Sequence, residues 1–243
     1  CYRHGKAILL RAKFTEHPHK GGMGKKIRQA FIADEGYLLL SGDYSQIELR
    51  ILAHISGDEG LIEAFRKGED IHALTAASIF GIPLEEVNED LRRKGKTVNF
   101  GIVYGIGPHS LSQDIKVSYR EAKHYIDQYL AHYSGIAGFM ENMIKFAKEN
   151  GYAVTMFGRR RPVPEIRSSN ASVRAFGERV ARNMPIQGTA ADIIKIAMVK
   201  VHRRLADEGM RARLILQVHD ELIFEVAPGE RDGAGARGLE GTR

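Results

Sequence analysis

Two aspartates and one basic helix hold the residues of this sequence best suited to chemistry. Asp43 follows the apolar run 36–41, and Asp220 follows the apolar run 212–218. The end of a strand is a rigid place from which to present a ligand. Taken singly, Asp43 also reads as a helix N-cap and Asp220 as a turn aspartate. Their flanks, Leu38-Leu39-Leu40 and Leu214-Ile215-Leu216, are those expected of neighbouring central strands. If these strands lie side by side, the two carboxylates converge. At about 4 Å and an effective dielectric of about 20, two unit negative charges repel by about 4 kcal/mol. Such a pair calls for cations, and an all-oxygen donor set suits Mg²⁺, which takes one or two carboxylates plus substrate phosphates.

The basic helix lies between them. In the segment 91–104, Arg92, Lys96, Phe100 and Tyr104 recur every fourth position, which places them along one face. Two cations followed by two aromatics suit a phosphate at one end and a stacked base further along. The competing reading is a solvated basic end leading into core aromatics. Gly95 and Gly101 count against it, because they weaken a helix without filling a core. A nucleoside triphosphate brings about −4, the aspartates −2 and two Mg²⁺ ions +4, leaving about two positive charges for Arg92 and Lys96 to supply.

The elements that position these groups follow from periodicity and punctuation. The run 36–41 reads as a buried strand, and Ile47, Leu49, Ile51, Leu52 and Ile55 predict a helix that Gly57 closes. Further helices are predicted over 59–67, 71–80, 91–104, 119–132 and 136–150. Gly68, Gly81-Ile-Pro83, Gly105-Ile-Gly107-Pro108 and Gly151 separate them. A short strand over 153–157 leads into a basic turn at 158–162. A long helix over about 173–207 is expected to break near Pro185. Two β-rich runs, 212–218 and 221–226, predict a hairpin with His219 and Asp220 at its tip. A short element is expected from Ile27, residues 1–22 show no clear period, and the Gly/Arg-rich stretch 231–243 reads as disordered.

Composition narrows the class. The 243 residues are 43% hydrophobic and 27% charged, ordinary for a globular protein with a sizeable core. A net charge of +6 favours a polyanionic partner, although a solvated basic surface accounts for it equally well. The single cysteine, Cys1, excludes an internal disulfide framework and cysteine-rich zinc sites. No apolar run approaches the roughly 20 residues of a membrane helix, and no signal-peptide pattern is present.

Three segments together resemble the A, B and C motifs of the family A (bacterial polymerase I type) DNA polymerases. They are Asp43-Tyr-Ser-Gln-Ile-Glu-Leu-Arg50, the segment from Arg92 to Gly105, and Gln217-Val-His-Asp-Glu221. The likeness continues through Asp70-Ile-His72, Phe157-Gly-Arg-Arg-Arg161 and the segment from Asn183 to Asp192, covering about residues 23–230. The resemblance implies an α+β right-hand polymerase fragment, with helical fingers and a partial antiparallel palm sheet. It divides the chain into an unassigned segment (1–22), a first palm part with motif A (23–56), fingers with motif B (57–186), a second palm part with motif C (187–230) and the tail (231–243). The implied activity is DNA-templated DNA synthesis by two-metal nucleotidyl transfer from a dNTP to a primer 3′-hydroxyl, in replication and repair.

The same resemblance implies roles for matching positions. Asp43, Asp220 and the Tyr44 carbonyl bind two Mg²⁺ ions, and Glu221 supports them. Gln46, Glu48, His72, Arg92, Lys96, Phe100 and Tyr104 form the dNTP site, with Lys96 able to protonate the pyrophosphate. Arg179, Gln187 and His219 touch primer-template DNA. Glu48, lying under the sugar near Tyr104, excludes a 2′-hydroxyl, and Phe100, lacking a phenolic hydroxyl, disfavours chain terminators. The family further implies a bacterial cytoplasmic monomer with no membrane partner.

Departures from the pattern carry expectations too. Residues 11–22 do not match the family, Gly95 stands where alanine is usual and is expected to loosen its helix, and the tail replaces the closing palm elements. Truncation or a frame shift at both ends is therefore expected, with weak, salt-sensitive grip on duplex DNA and an open sheet edge prone to aggregation. The alternative function is a catalytically silent DNA-binding fragment. A single-subunit RNA polymerase is disfavoured by Glu48 and the motif around it, and a nuclease would not need the stripe from Arg92 to Tyr104.

Overall fold

A computed structural model of the chain describes residues 31–230. The element expected from Ile27, the segment 1–22 and the tail 231–243 lie outside or at the margin of the described residues. The described chain is α+β and forms two compact units, one spanning Gln46–Asp192 and the other made of residues up to Ser45 and from Ile193 onward.

The smaller unit is built on an antiparallel sheet of three strands, β1 (Leu38–Asp43), β4 (Arg213–Val218) and β5 (Glu221–Val226), in the order β1-β5-β4. β5 is the central strand. Leu222, Ile223, Phe224 and Val226 are buried there, and each contributes about 1.5–3 kcal/mol through burial. This corrects the expectation that 38–40 and 214–216 lie on neighbouring central strands. β4 sits at an edge of this sheet, with Ile215 and Leu216 exposed, and β1 pairs with β5 instead. A register shift between Leu214 and Leu216 leaves Ile215 as the extra residue of a bulge. Apolar content alone did not rank the three strands. Glu225, flanked by apolar neighbours, is buried because it accepts from the Asp34 backbone N–H at 2.7 Å and the Arg213 Nε at 2.8 Å.

The larger unit is helical: α1 (Ile47–Ser56), α2 (Glu59–Lys67), α3 (Ile71–Phe80), α4 (Glu89–Val103), α5 (Pro108–Ile115), α6 (Tyr119–His132) and α7 (Ser134–Asn150). Side-chain caps set most starts. Asp58 accepts from the Leu61 N–H at 3.0 Å, Asp70 from His72 and Ala73 at 3.0 and 3.1 Å, and Asn88 from Leu91 at 3.0 Å. Ser118 and Glu121 form a reciprocal capping box. The N-cap of α1 is Gln46 in a left-handed conformation, so Asp43 is the last residue of a strand and not a helix cap.

α5 was not anticipated. The glycines at 105 and 107 read as loop, whereas Pro108 occupies the first turn of a helix, where its missing N–H costs nothing. The basic turn after β2 (Tyr152–Val154) returns as β3 (Arg160–Pro162), closing a small hairpin. α8 (Ala171–Asp207) runs unbroken through Pro185, against the expected interruption. Burial of Val180, Ala181, Met184 and Ile186 on both sides offsets the roughly 3 kcal/mol that an interior proline costs.

Gly95 also has a packing role that its type alone did not reveal. α3 and α4 pack against each other, and a Cβ at Gly95 would collide with the His72 carbonyl oxygen and meet Ala76 N at 3.0 Å. The absent side chain sets the spacing of these helices.

Candidate functional site

In the sheet unit, backbone pairing places the acidic residues. Asp43 ends β1 and stands opposite Glu221, the first residue of β5. One residue further, the Tyr44 N–H donates to the Asp220 carbonyl at 3.0 Å. Asp43, Tyr44, Asp220 and Glu221 thus converge at one end of the sheet. The turn between β4 and β5 is two residues long, and His219 takes a left-handed φ of 56°. That conformation is uncommon outside glycine but tolerated by histidine. The Gln217 Nε2 donates to the His219 carbonyl at 2.9 Å and braces the turn. The Ser41 hydroxyl donates to Glu221, an orienting contact that sequence reasoning did not pick out. Burial pushes the Tyr44 phenol up to about 12, and its hydroxyl has no partner among the described residues. Tyr44 therefore stays neutral.

The donors at this sheet end are carboxylate and carbonyl oxygens. Among the described residues, no group of three or more His, Cys, Asp and Glu side chains could hold a metal by themselves. Two carboxylates and a carbonyl nevertheless fit Mg²⁺, which keeps waters or substrate oxygens in its remaining positions.

The stripe is built in the helical unit. Lys96 Nζ lies 5.8 Å from the Phe100 ring centroid, and Phe100 stacks on Tyr104 with centroids 6.2 Å apart and planes 18° apart. His72, from α3, approaches Phe100 at 5.8 Å between centroids. The Tyr104 hydroxyl donates to Glu48 Oε2 at 2.9 Å, and Asn183 Nδ2 donates to the Tyr104 carbonyl at 3.0 Å. Arg92 is paired: its Nε donates to Asp70 Oδ2 at 2.6 Å. This pairing alters the charge balance read from the sequence, because Asp70 offsets part of what Arg92 was assigned. Desolvation raises the Asp70 pKa, but hydrogen bonds and charge from Arg92 and hydrogen bonds from the α3 backbone together outweigh it and leave the carboxyl lowered from its ordinary value.

His72 is buried beneath this face. Asn99 Nδ2 lies 3.1 Å from His72 Nδ1, and the Thr75 hydroxyl donates to Asn99 Oδ1 at 3.1 Å. Burial first, then the charges of Arg92 and Lys96, push the imidazole down to about 4, with Asp70 opposing them. Sequence reasoning missed Thr75 and Asn99. The available signal was a polar residue between Val98 and Phe100, together with His72 and Thr75 three apart on one helix face.

A cleft of about 690 Å³ opens along the stripe, lined among others by Arg93, Lys96, Phe100, Tyr104, Ile106 and Arg179. Gly105, at φ 68°, lets the chain turn close to Arg179. Gln187 is exposed on α8, and Gln46 buries Oε1 without a partner among the described residues. Of the residues expected to act together, Glu48, His72, Arg92, Lys96, Phe100, Tyr104 and Arg179 line or brace this one face. Asp43, Tyr44, His219, Asp220 and Glu221 form the sheet-end group.

Comparison with known proteins places these features in context. The family model for "DNA polymerase family A" matches residues 14–237, wider at both ends than the 23–230 stretch that the motifs suggested. DNA polymerase I of Mycobacterium tuberculosis is 49% identical over 216 residues, covering 88% of this chain and 24% of that protein. The thermostable DNA polymerase I of Thermus aquaticus is 50% identical over 220 residues, covering 90% of this chain and 26% of that protein. The chain thus spans about a quarter of the length of these relatives. Among solved structures, the POL domain of Pol1 from M. smegmatis, in complex with DNA primer-template and dNTP, superposes with a TM-score of 0.87. It is 46% identical, covering 93% of this chain and 40% of that one.

Proposed function

The chain belongs to DNA polymerase family A, and from that premise we propose that it carries out DNA-templated DNA synthesis. In this reaction the oxygen of a primer 3′-hydroxyl attacks the α-phosphorus of a dNTP and pyrophosphate leaves. The observation that carries the reading is the pairing of β1 with β5, which brings Asp43 beside Asp220 and Glu221 although the sequence separates them widely.

Asp43, Asp220 and the Tyr44 carbonyl would hold two Mg²⁺ ions, which supply Lewis-acid activation of the hydroxyl and charge neutralisation on the phosphates. Glu221, oriented by Ser41, keeps the local field negative enough to retain them. On the helical unit, Lys96, Arg92 and His72 grip the triphosphate, and Lys96 donates a proton to the departing pyrophosphate. Phe100 packs on the incoming base, Tyr104 borders the templating base, and Gln46 lies near the sugar. The Glu48–Tyr104 hydrogen bond fixes a bulky wall where a ribose would place its 2′-hydroxyl, which supports selectivity for deoxynucleotides. Arg179, Gln187 and His219 contact the primer-template. The partners are therefore primer-template DNA and dNTPs, with the chain acting as a monomer in a bacterial cytoplasm. No helix among the described residues is long and apolar enough to cross a membrane.

Primer extension with Mg²⁺ and all four dNTPs tests this, run at low salt because phosphate contacts weaken as counterions are added. Template-dependent extension by the chain, lost in Asp220→Ala, is the expected result. DNA binding without extension would leave only a binding role.

A further inference from the structure

We propose that Asn99 and Thr75 are positioning residues that hold His72 in its Nε2–H tautomer, so that the imidazole meets a triphosphate as a neutral hydrogen-bond donor. The inference deepens the polymerase reading and rests on His72 as a triphosphate contact.

The argument follows the protons. His72, Thr75 and Asn99 are 3%, 0% and 0% exposed, so Thr75 Oγ1, the Asn99 amide and His72 Nδ1 must find their partners within the protein. The Thr75 hydroxyl meets both the Tyr133 phenol and Asn99 Oδ1; with Tyr133 donating to it, its own single proton goes to Asn99 Oδ1. In this arrangement Asn99 Nδ2 is directed at His72 Nδ1, 3.1 Å away. An amide nitrogen only donates, so Nδ1 must carry a lone pair and the ring proton must sit on Nε2.

The inverted amide would leave a lone pair on Nε2, which repels phosphate oxygens. A doubly protonated ring would set Nδ1–H against Asn99 N–H, two buried donors facing each other without an acceptor. The charged groups around the ring act in the same direction. Arg92 and Lys96 from α4 resist a further positive charge, outweighing Asp70 at the start of α3. Gly95 keeps α3 and α4 close enough for the side chains of the two helices to meet. His72 therefore grips phosphate through geometry, while the formal charge is left to Lys96 and Arg92.

The test is a long-range ¹H–¹⁵N spectrum of the histidine-labelled chain at neutral pH, with dATP titrations alongside. The wild-type chain should show His72 neutral, in the Nε2–H form. Asn99→Asp replaces the donor with an acceptor and should convert the ring to Nδ1–H or to the imidazolium. Its dATP affinity should fall about tenfold, as expected for one misdirected hydrogen bond to a charged group. Thr75→Val, of similar shape, should leave two exchanging tautomers, and Thr75→Ser should restore one. Thr75→Val also covers the case in which Asn99→Asp fails to fold. A wild-type Nδ1–H signal, or an Nε2–H signal unmoved by Asn99→Asp and Thr75→Val alike, overturns the proposal. Unchanged dATP affinity in His72→Ala, beside the expected tautomer, removes the triphosphate role of His72 and leaves the polymerase reading to the extension assay.

Discussion

The sheet end and the stripe on α4 place their candidate site residues by different means. At the sheet end, backbone pairing does the work: the register of β1 on β5 sets Asp43 opposite Glu221, and the Tyr44–Asp220 backbone bond continues it. On α4, position comes from side chains holding side chains. Asp70 holds Arg92, Glu48 holds Tyr104, and Asn99 and Thr75 hold His72. Backbone register tolerates substitution at most positions and fails only at the donors. A side-chain network has many members whose loss is felt, each by a smaller amount. Two acidic positions should therefore be all-or-none, whereas the helical face should be tunable.

The largest effect should fall on the sheet end. Asp43→Ala or Asp220→Ala should lower the extension rate about a thousandfold or more, the equivalent of several kcal/mol of transition-state stabilisation, with an unchanged circular-dichroism spectrum. A loss below tenfold in single-turnover kinetics would mean that the two regions do not differ as described.

Next in size is the wall. Glu48→Ala should reduce discrimination against ribonucleotides by about ten- to a hundredfold, read as the ratio of kcat/KM values for dATP and ATP. Unaltered selectivity would detach the Glu48–Tyr104 bond from sugar choice.

Gly95→Ala should destabilise the chain by about 1–3 kcal/mol in urea unfolding, because the added carbon has backbone for a neighbour. Helix propensity favours alanine by up to about 1 kcal/mol, so the sign of the measured change decides whether close packing or helix stiffness dominates.

A smaller effect concerns pH. Unfolded histidine titrates at about 6.5, and folded His72 at about 4. Between those values the unfolded chain binds the extra proton. The stability that His72 contributes is thus present above pH 6.5 and lost as pH falls toward 4. Asp70, itself lowered, loses its contribution at lower pH, as pH falls through and below the ordinary carboxylate value. Chemical denaturation across this window should show a shallower pH slope in His72→Phe than in the wild type. Smallest of all, Arg179→Ala should weaken DNA binding evenly across sequences and reduce the salt slope by about one.

The sequence made these two regions legible to different depths. Helix limits were readable because apolar period and glycines mark them locally: α2 and α3 end at Gly68 and Gly81 as expected, while the caps Asp58, Asp70 and Ser118 that start α2, α3 and α6 emerged only from the structure. The hairpin tip at His219-Asp220 was readable because a polar pair separates two β-rich apolar runs. Strand order was not, because 38–40, 214–216 and 222–224 are all apolar, and only three-dimensional pairing makes β5 central. Pro185 misled because the local cost of a proline is visible in sequence, while the burial that offsets it is not. Gly95 misled in the opposite way: its cost to the helix is local, and the space it leaves for His72 is not. The stripe appeared as a spacing of four, but Thr75 and Asn99 sit inside apolar runs and became meaningful only once α3 and α4 were side by side.

The central claim is that Asp43 and Asp220, joined by strand register, form one site for divalent ions. Titration of Mn²⁺ in place of Mg²⁺ into the chain with dATP, followed by electron paramagnetic resonance, tests it most directly. The account predicts bound ion in the wild-type chain, with Asp43→Asn and Asp220→Asn each weakening the same binding about tenfold or more and the double variant adding little further. Full ion affinity in both single variants, or losses that simply add, would contradict it.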